Sequence, residues 1–194
     1  MNNCYLDAEA VITFFRMTGR KHIFITGSRG SGKSHLINNM LKHMSDSFNL
    51  LQSHRTDTPQ VVIKSNLVAD NKEFVIGVPR TSGINPASKG NNMTIIEDGF
   101  INCAIPAIDT HLDTTPERLF VIDELGYLES SCIPFQKAVE KLLDNSHVLA
   151  VIRKQSTEFL NRICNRKDVL VIDIDSTFET LSCIIMAFGM SKRF

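Results

Sequence analysis

The second half of the chain alternates short apolar runs with longer segments in which apolar residues recur at helical spacing. The apolar runs predict buried strands at 118–124, 148–153 and 168–174. Helices are predicted between and after them, at 134–145, 156–166 and 176–190. This alternation is typical of an α/β fold, a mostly parallel sheet with helices on both faces.

The chain begins with a helix pattern of its own. An acidic start and apolar residues at helical spacing predict a helix at 7–17, and Gly19 follows as a stop. The apolar run 22–26 then predicts a strand that can be covered on both faces, and 32–44 predicts a second helix. A strand and a helix are therefore separated by only a few residues.

The middle of the chain is the irregular part. Residues 59–80 predict two strands around a polar turn, which we expect to form an antiparallel hairpin beside the parallel sheet. Segment 81–92 is rich in Ser, Gly, Asn and Pro and predicts a surface loop over a ligand. A short strand at 93–98 and a helix at 103–112, with Pro106 in its first turn, complete this part.

Length and composition place these elements in one globular domain. The 194 residues are 43% hydrophobic and 22% charged. We expect a single domain over 1–194, with the helix at about 6–18 as an addition to it. The 21 basic residues equal the 21 acidic ones, so net charge does not indicate nucleic acid or an anionic membrane as a partner.

Cysteine usage and hydropathy bear on the compartment. The five cysteines are scattered and form no C-x-x-C pair, which is typical of thiols in a reducing cytoplasm. The N-terminus shows no secretory pattern, and no apolar run approaches the length that spans a bilayer. We therefore expect a cytoplasmic protein without a membrane segment.

The link between the first predicted strand and helix carries the strongest motif. It has the pattern G-x-x-x-x-G-K-[ST], in which glycines let backbone N–H groups surround phosphate oxygens and the helix N-terminus attracts the same anion. Lys33 is expected to reach the β- and γ-phosphates and Ser34 to ligate Mg²⁺. Arg29 is expected to face solvent. The candidate nucleotide-binding residues are Gly27, Ser28, Arg29, Gly30, Ser31, Gly32, Lys33, Ser34 and His35.

A second motif follows the buried strand at 118–124. Asp123 emerges at the carboxyl end of that strand, where ligands sit in open α/β sheets, and is the candidate to hold Mg²⁺. Glu124 follows it and is the candidate general base for a water that attacks the γ-phosphorus. The alternative for Glu124 is an exposed position at a loop entry.

Arg153 ends the strand 148–153 and is a further catalytic candidate. Its guanidinium could stabilise charge on the transferring phosphoryl group. The alternative is a surface arginine that pairs with a neighbour such as Glu158. A dedicated GTPase is not expected, because no N-K-x-D motif follows a later strand and the nearest string, at 165–168, has the wrong order.

These motifs together resemble the small nucleoside-triphosphatase family first described from thermophiles, which includes the human cancer-related nucleoside-triphosphatase. The resemblance covers about residues 21–185. It is carried by the stretches 24–36, 61–78, 95–108 and 120–143. It implies a RecA-like P-loop fold and slow, Mg²⁺-dependent hydrolysis of several nucleoside triphosphates.

The resemblance also assigns roles by position. Lys33 and Ser34 would bind phosphate and metal, Asp123 would organise Mg²⁺, and Glu124 would act as base. Glu129 matches a later glutamate of the family. Two positions depart from the family pattern: Tyr127 stands where lysine is frequent, and 175–180 reads DSTFET where an Asn-Arg pair is frequent. The second departure removes the basis for a nucleobase contact from that loop.

Two other functions stay open at this level. A nucleotide or small-molecule kinase would need an acceptor pocket and usually an arginine-rich lid, whereas 81–92 contains Lys89 as its single basic residue. A nucleotide-dependent switch would bind tightly with negligible turnover and recruit a protein partner. The leading prediction is a Mg²⁺-dependent hydrolase of nucleoside triphosphates with low base selectivity.

Overall fold

The computed structural model describes residues 7–44, 47–80 and 93–176. The predicted loop at 81–92 and nearly all of the predicted helix at 176–190 lie outside these residues. The helices are α1 (Ala8–Thr18), α2 (Lys33–Met44), α3 (Glu97–Gly99), α4 (Ile105–Thr114), α5 (Ile133–Asn145) and α6 (Glu158–Cys164). The strands are β1 (His22–Gly27), β2 (Phe48–Arg55), β3 (Val61–Ser65), β4 (Phe74–Pro79), β5 (Met93–Ile95), β6 (Leu119–Leu125), β7 (His147–Arg153) and β8 (Val169–Asp173).

The strands form one eight-stranded sheet in the order β5-β4-β3-β2-β6-β7-β1-β8. Strands β2, β6, β7, β1 and β8 are parallel, and β3, β4 and β5 extend the sheet antiparallel. The predicted α/β architecture and the predicted hairpin are therefore confirmed. The carboxyl ends of the parallel strands meet at one edge, where the residues that follow them can form a shared site.

Strand β2 was missed by the sequence pattern. It lies between β3 and β6 in the sheet, yet it contains polar residues at Asn49, Gln52 and Ser53. Asn49 is buried, and its Nδ2 forms hydrogen bonds of 2.8 Å with both His111 Nδ1 and Thr115 Oγ1. Partners supplied by distant elements make such polar positions tolerable in a strand, and local hydropathy does not reveal them.

The helix predicted at 103–112 is longer than expected. Helical backbone begins at Glu97 and continues to Thr114, with a π-helical segment at Phe100–Ala104 before α4. Pro106 follows this segment in the first turn of α4. Proline lacks the N–H that an α-helix interior requires, and a change of helical hydrogen bonding just before it allows the helix to continue.

Helices cover both faces of the sheet. One core lies under α4, α5 and α6 and includes Phe100, Phe120 and Phe135. The core on the other face is formed with α1 and α2, where Val11 and Ile12 of α1 pack in the same cluster as apolar residues of α2. The added helix α1 thus packs on α2, the helix that follows the glycine-rich loop, and contributes to the burial of its apolar residues.

Histidine 22 is a buried titratable group at the start of β1. Its side chain is fully buried, and Nδ1 accepts a hydrogen bond from Val148 N–H at 3.2 Å. Nε2 lies 3.4 Å from Asp168 Oδ2 but has no well-aligned hydrogen-bond partner among the described residues. Burial lowers the pKa of His22 to about 4, against the opposing charge of Asp168.

This burial predicts a pH-dependent stability. Unfolded His22 titrates near 6.5, so the unfolded chain binds more protons than the folded one between about pH 4 and 6.5. The stability from neutral His22 is complete above that window and is lost as the pH falls through it. We expect His22→Asn, which keeps an acceptor for Val148 N–H, to lose this dependence.

Urea unfolding of both proteins from pH 4 to 7 measures the effect, and subtraction cancels the other titrating groups. The free energy of unfolding of wild type relative to His22→Asn should rise by about 3 kcal/mol as the pH increases across the window. A difference that does not change with pH would show that His22 is not held neutral by burial.

Candidate nucleotide-binding site

The glycine-rich loop joins β1 to α2 in the conformation that its sequence requires. Gly30 and Gly32 have φ angles of 76° and 93°, a region that glycine adopts without steric penalty. Gly27 is needed for space as well, since a Cβ there would lie 2.7 Å from Ile174 and 2.9 Å from the Ser31 hydroxyl. The loop therefore turns tightly between strand and helix and brings its backbone next to the N-terminus of α2.

Lys33 is the first residue of α2, and its side chain folds back over the loop. Its Nζ donates to the carbonyl oxygens of Gly27 at 2.9 Å and Ser28 at 2.7 Å. These bonds hold the ammonium above the loop, beside the N-terminus of α2. A phosphate placed there would meet a cation, a helix N-terminus and the loop amides at once.

The carboxylate of Asp175, two residues after β8, holds the start of the loop in place by hydrogen bonds. Asp175 Oδ2 accepts from the Ser28 N–H at 2.8 Å and from the Ser28 hydroxyl at 2.7 Å. Lys154 Nζ bridges Asp175 Oδ2 at 3.1 Å and Asp173 Oδ2 at 2.8 Å. The hydrogen bonds from Ser28 and Lys154 lower the pKa of Asp175, so the group is held ionised. Neither Lys154 nor Asp175 was a predicted site residue.

The loop forms one wall of a cavity of about 870 Å³. All the predicted nucleotide-binding residues line it except Ser31, whose hydroxyl donates to Ser28 O at 2.7 Å. Arg29, expected to face solvent, is exposed at the wall. The wall is completed by Ser53, His54, Arg55, Val61, Glu124, Tyr127, Leu128, Glu129, Arg153 and Lys154. The cavity thus joins the loop to the ends of β2, β6 and β7.

Asp123 is half-buried at the end of β6 and is not part of the cavity wall. Burial raises its pKa above the ordinary value, although hydrogen bonds from Ser34 and Gln52 and the charge of Lys33 oppose the rise. The Ser34 hydroxyl and the Asp123 carboxylate therefore lie next to each other. A cation between them would relieve the burial of the negative charge.

This pair suits Mg²⁺ better than a softer metal. Mg²⁺ prefers oxygen ligands, keeps several waters, and is commonly bound by one or two protein oxygens together with phosphates. Within 7–44, 47–80 and 93–176, no group of three or more His, Cys, Asp or Glu side chains could hold a metal by itself. The Ser34 and Asp123 oxygens would suit Mg²⁺ as two of its ligands, with phosphate oxygens to complete the shell.

Glu124 and Arg153 form an ion pair at the cavity wall. Arg153 Nη2 donates to Glu124 Oε1, and both side chains are partly exposed, at 45% and 26% respectively. The acidic neighbour of Arg153 is thus Glu124 and not Glu158, the example named for a surface pair; Glu158 lies 3.8 Å from Arg162. β7 runs between β1 and β6, so Arg153 lies between the phosphate loop and the acidic strand end.

Glu129 is the buried carboxylate of the site. Only 5% of it is exposed, and its oxygens accept from Gly126 N–H at 2.9 Å and from the Ser53 hydroxyl at 3.3 Å. Burial raises the pKa of Glu129 to about 7. Tyr127 is half-buried nearby, and burial raises its pKa against the charges of Arg153 and Arg55. The sequence indicated neither the burial of Glu129 nor its partners.

Part of the wall could not be assigned from the sequence. Ser53, His54 and Arg55 belong to β2, the strand that the hydropathy pattern missed. Lys154 follows Arg153 directly and could have been proposed on the same strand-end argument.

Among the described residues, no helix is both long enough and apolar enough to cross a membrane.

A glycine-rich loop between strand and helix, an acidic strand end two strands away, and an arginine between them define the class of P-loop nucleotide-binding proteins. The chain belongs to the NTPase family: the family model matches residues 22–179. It is therefore a member of a nucleoside-triphosphatase family, and the predicted family is confirmed.

Similar proteins agree with this assignment. The nucleoside-triphosphatase THEP1 of Thermotoga sp. (strain RQ2) is 26% identical over 155 residues, which cover 79% of this chain and 86% of that protein. THEP1 of Thermotoga maritima is 24% identical over 154 residues, again 79% of this chain and 86% of the relative.

Two solved structures share the fold. THEP1 from the hyperthermophile Aquifex aeolicus superposes with a TM-score of 0.62 at 17% identity, covering 84% of this chain and 98% of that one. A human cancer-related nucleoside triphosphatase superposes with a TM-score of 0.58 at 21% identity, covering 89% and 100%. The fold is thus the expected RecA-like P-loop type.

Proposed function

We propose that the protein hydrolyses nucleoside 5′-triphosphates to diphosphate and phosphate, with Mg²⁺ and with little selection among nucleobases. The observation that supports this most directly is the shared cavity. The phosphate loop with Lys33, the Glu124–Arg153 pair and the half-buried Asp123 all lie at the carboxyl edge of the sheet.

Substrate binding would use the loop and α2. The triphosphate would lie along the loop amides, with Lys33 turned from the carbonyl oxygens of Gly27 and Ser28 towards the β- and γ-phosphates. Ser34 and Asp123 would hold Mg²⁺, which neutralises phosphate charge when bound. The γ-phosphate would then face Glu124 and Arg153.

Hydrolysis would proceed by attack of water on the γ-phosphorus. The water oxygen forms the new bond, the bond from the γ-phosphorus to the bridging oxygen breaks, and Glu124 accepts the water proton. In the structure Arg153 pairs with Glu124 and neutralises its charge. A γ-phosphate carries more negative charge than a carboxylate, so it would attract Arg153 and release Glu124 for its role as base.

Two features support low base selectivity. The sequence contains no guanine-reading motif, and the segment that starts at Asp175 lacks the Asn-Arg pair frequent in the family. The carboxylate of Asp175 is already engaged by Ser28 and Lys154, which leaves it poorly placed to read a base. Affinity would then come mainly from phosphates and Mg²⁺.

The test is a phosphate-release panel with ATP, GTP, CTP, UTP and their deoxy forms, with and without Mg²⁺. We expect kcat/KM for ATP and GTP to differ by less than about tenfold, or roughly 1.4 kcal/mol of transition-state discrimination. Turnover should require Mg²⁺. A preference of about a thousandfold would reveal a base pocket and contradict low selectivity. Phosphate transfer only to an added acceptor would instead identify a kinase, and tight binding without turnover would identify a switch.

A further inference from the structure

Glu129 connects three parts of the site although it lies outside both motifs. It begins a short 3₁₀ turn, Glu129–Ser131, and lines the nucleotide cavity while only 5% exposed. Its Oε2 accepts from Gly126 N–H at 2.9 Å, and its Oε1 accepts from the Ser53 hydroxyl at 3.3 Å. The carboxylate thus joins β2 to the segment that directly follows Glu124.

This segment passes between Glu129 and Arg153. A Cβ on Gly126 would lie 3.3 Å from Glu129 Oε2, 3.5 Å from Arg153 Cδ and 3.6 Å from Arg153 Nε. Arg153 in turn contacts Glu124 through its Nη2. Glu124 therefore pairs with this guanidinium directly, whereas Glu129 lies across Gly126 from Arg153 and interacts with its charge through space.

The negative charge of Glu129 is unfavourable in its buried position. Burial raises its pKa to about 7, against backbone hydrogen bonds from Glu129 itself and Gly126; the charge of Glu124 adds to the rise and the charge of Arg153 opposes it. The facing groups are Glu124 from β6, Arg153 from β7, Tyr127 from the adjoining turn and the neutral Ser53 hydroxyl from β2. Both oxygens have a neighbour from which an ionised carboxylate can accept, Gly126 N–H and the Ser53 hydroxyl.

We propose that Glu129 is a positioning residue for hydrolysis: it fixes the segment after Glu124 through Gly126 N–H, and its charge controls how Arg153 divides between Glu124 and the γ-phosphate. This inference rests on the proposed function. With Glu129 ionised, its charge attracts Arg153 across Gly126, so Glu124 holds Arg153 less tightly. Proton transfer to Glu124 is also favoured, because it relieves repulsion between neighbouring like charges.

The test is Glu129→Gln, which separates charge from hydrogen bonding. The amide oxygen can still accept from Gly126 N–H, and the amide nitrogen can donate to the Ser53 oxygen once that hydroxyl rotates. We expect kcat to fall by roughly tenfold or more while KM for Mg–ATP changes by less than about threefold, because the lost effect acts chiefly in the transition state. Tm should not fall, since a buried charge is removed.

The pH profile gives a second readout that a purely structural role would not move. Wild-type kcat should rise through about pH 7 as Glu129 ionises, and this rise should be absent in Glu129→Gln. Glu129→Asp retains a charge on a shorter side chain and should keep the rise even where its rate is low. It also keeps the inference testable if Glu129→Gln does not fold.

The matched control is Glu140→Gln. Glu140 is a partly buried glutamate of α5 whose Oε1 pairs with Arg162 Nε at 2.7 Å, and it is not part of the cavity wall. We expect wild-type kcat and pH profile from this variant. Equal losses in both Gln variants, an unchanged kcat and profile in Glu129→Gln, or loss of the rise in Glu129→Asp would each overturn the inference. Absence of phosphate release by wild type would instead refute the proposed function and with it the inference that depends on it.

Discussion

Replacing Glu124 with glutamine is expected to lower kcat by about 10²–10⁴, the usual contribution of a positioned general base. Glutamine keeps the size of the side chain and a hydrogen-bonding group but cannot accept the proton of the attacking water at neutral pH. Affinity for Mg–ATP should equal or exceed that of wild type, because Arg153 loses its carboxylate partner and is free to meet the γ-phosphate. The loss acts only in the transition state, and ground-state binding is preserved.

The Glu124→Gln substitution should not destabilise the fold enough to affect the measured kcat. The Glu124–Arg153 pair is partly exposed on both sides, and such pairs contribute at most about 1 kcal/mol to stability. Steady-state phosphate release gives kcat, and calorimetry with a non-hydrolysable ATP analogue and Mg²⁺ gives affinity. Glu158→Gln, on a side chain that is 96% exposed, is the control and should behave as wild type. Hydrolysis by Glu124→Gln at the wild-type rate would place the base elsewhere.

Asp123→Asn should show a different pattern, which separates the two acidic neighbours. Asp123 is proposed to hold Mg²⁺ with Ser34, so its replacement should weaken Mg²⁺-dependent binding as well as turnover. If instead Asp123→Asn lowers kcat alone and Glu124→Gln lowers binding, the proposed roles of the two residues are reversed.

Replacing Lys33 with alanine is expected to weaken the affinity for Mg–triphosphate by about 30-fold or more, or at least ~2 kcal/mol. Lys33 Nζ is already aimed over the loop by its bonds to Gly27 O and Ser28 O. Without it, the β- and γ-phosphates would lose the cation that lies directly over the loop. The fold should persist, because the freed carbonyl oxygens lie at the cavity, where water can replace the ammonium.

The control for this experiment lies on the same helix. Lys42 is exposed near the end of α2, and its Nζ donates to Asn39 Oδ1 at 3.2 Å. Calorimetric titration with the non-hydrolysable analogue should give wild-type affinity for Lys42→Ala and a greatly reduced affinity for Lys33→Ala. Equal affinity of wild type and Lys33→Ala would show that the loop does not bind phosphate.

The pairing of Glu124 with Arg153 would link binding of the γ-phosphate to activation of the attacking water. A base that is neutralised by a guanidinium is a poor base, so water activation would await a γ-phosphate that attracts Arg153. This order would limit unproductive proton transfer in the empty site. It also explains why the buried charge of Glu129, on the other side of Gly126, could influence the rate.

The phosphate loop and the acidic strand end were predictable because their requirements are local. Positive φ angles at Gly30 and Gly32, a strand before them and a helix after them all follow from contiguous residues. The alternation of apolar runs and helical spacing likewise predicted the parallel sheet, and the antiparallel hairpin was predicted by two apolar runs around a polar turn. The family assignment follows from these same segments.

The contacts that other strands make with the residues of these motifs were determined by the tertiary structure. The position of β7 between β1 and β6 places Arg153 against Glu124 rather than Glu158. Strand β2, in which Asn49 is buried with distant hydrogen-bond partners, supplies Ser53 to Glu129. Asp175 reaches Ser28 from 147 positions away in the chain. Such contacts depend on which strands pair with each other. The order of the strands is determined by the burial of apolar side chains over the whole sheet, and those side chains come from residues far apart in sequence.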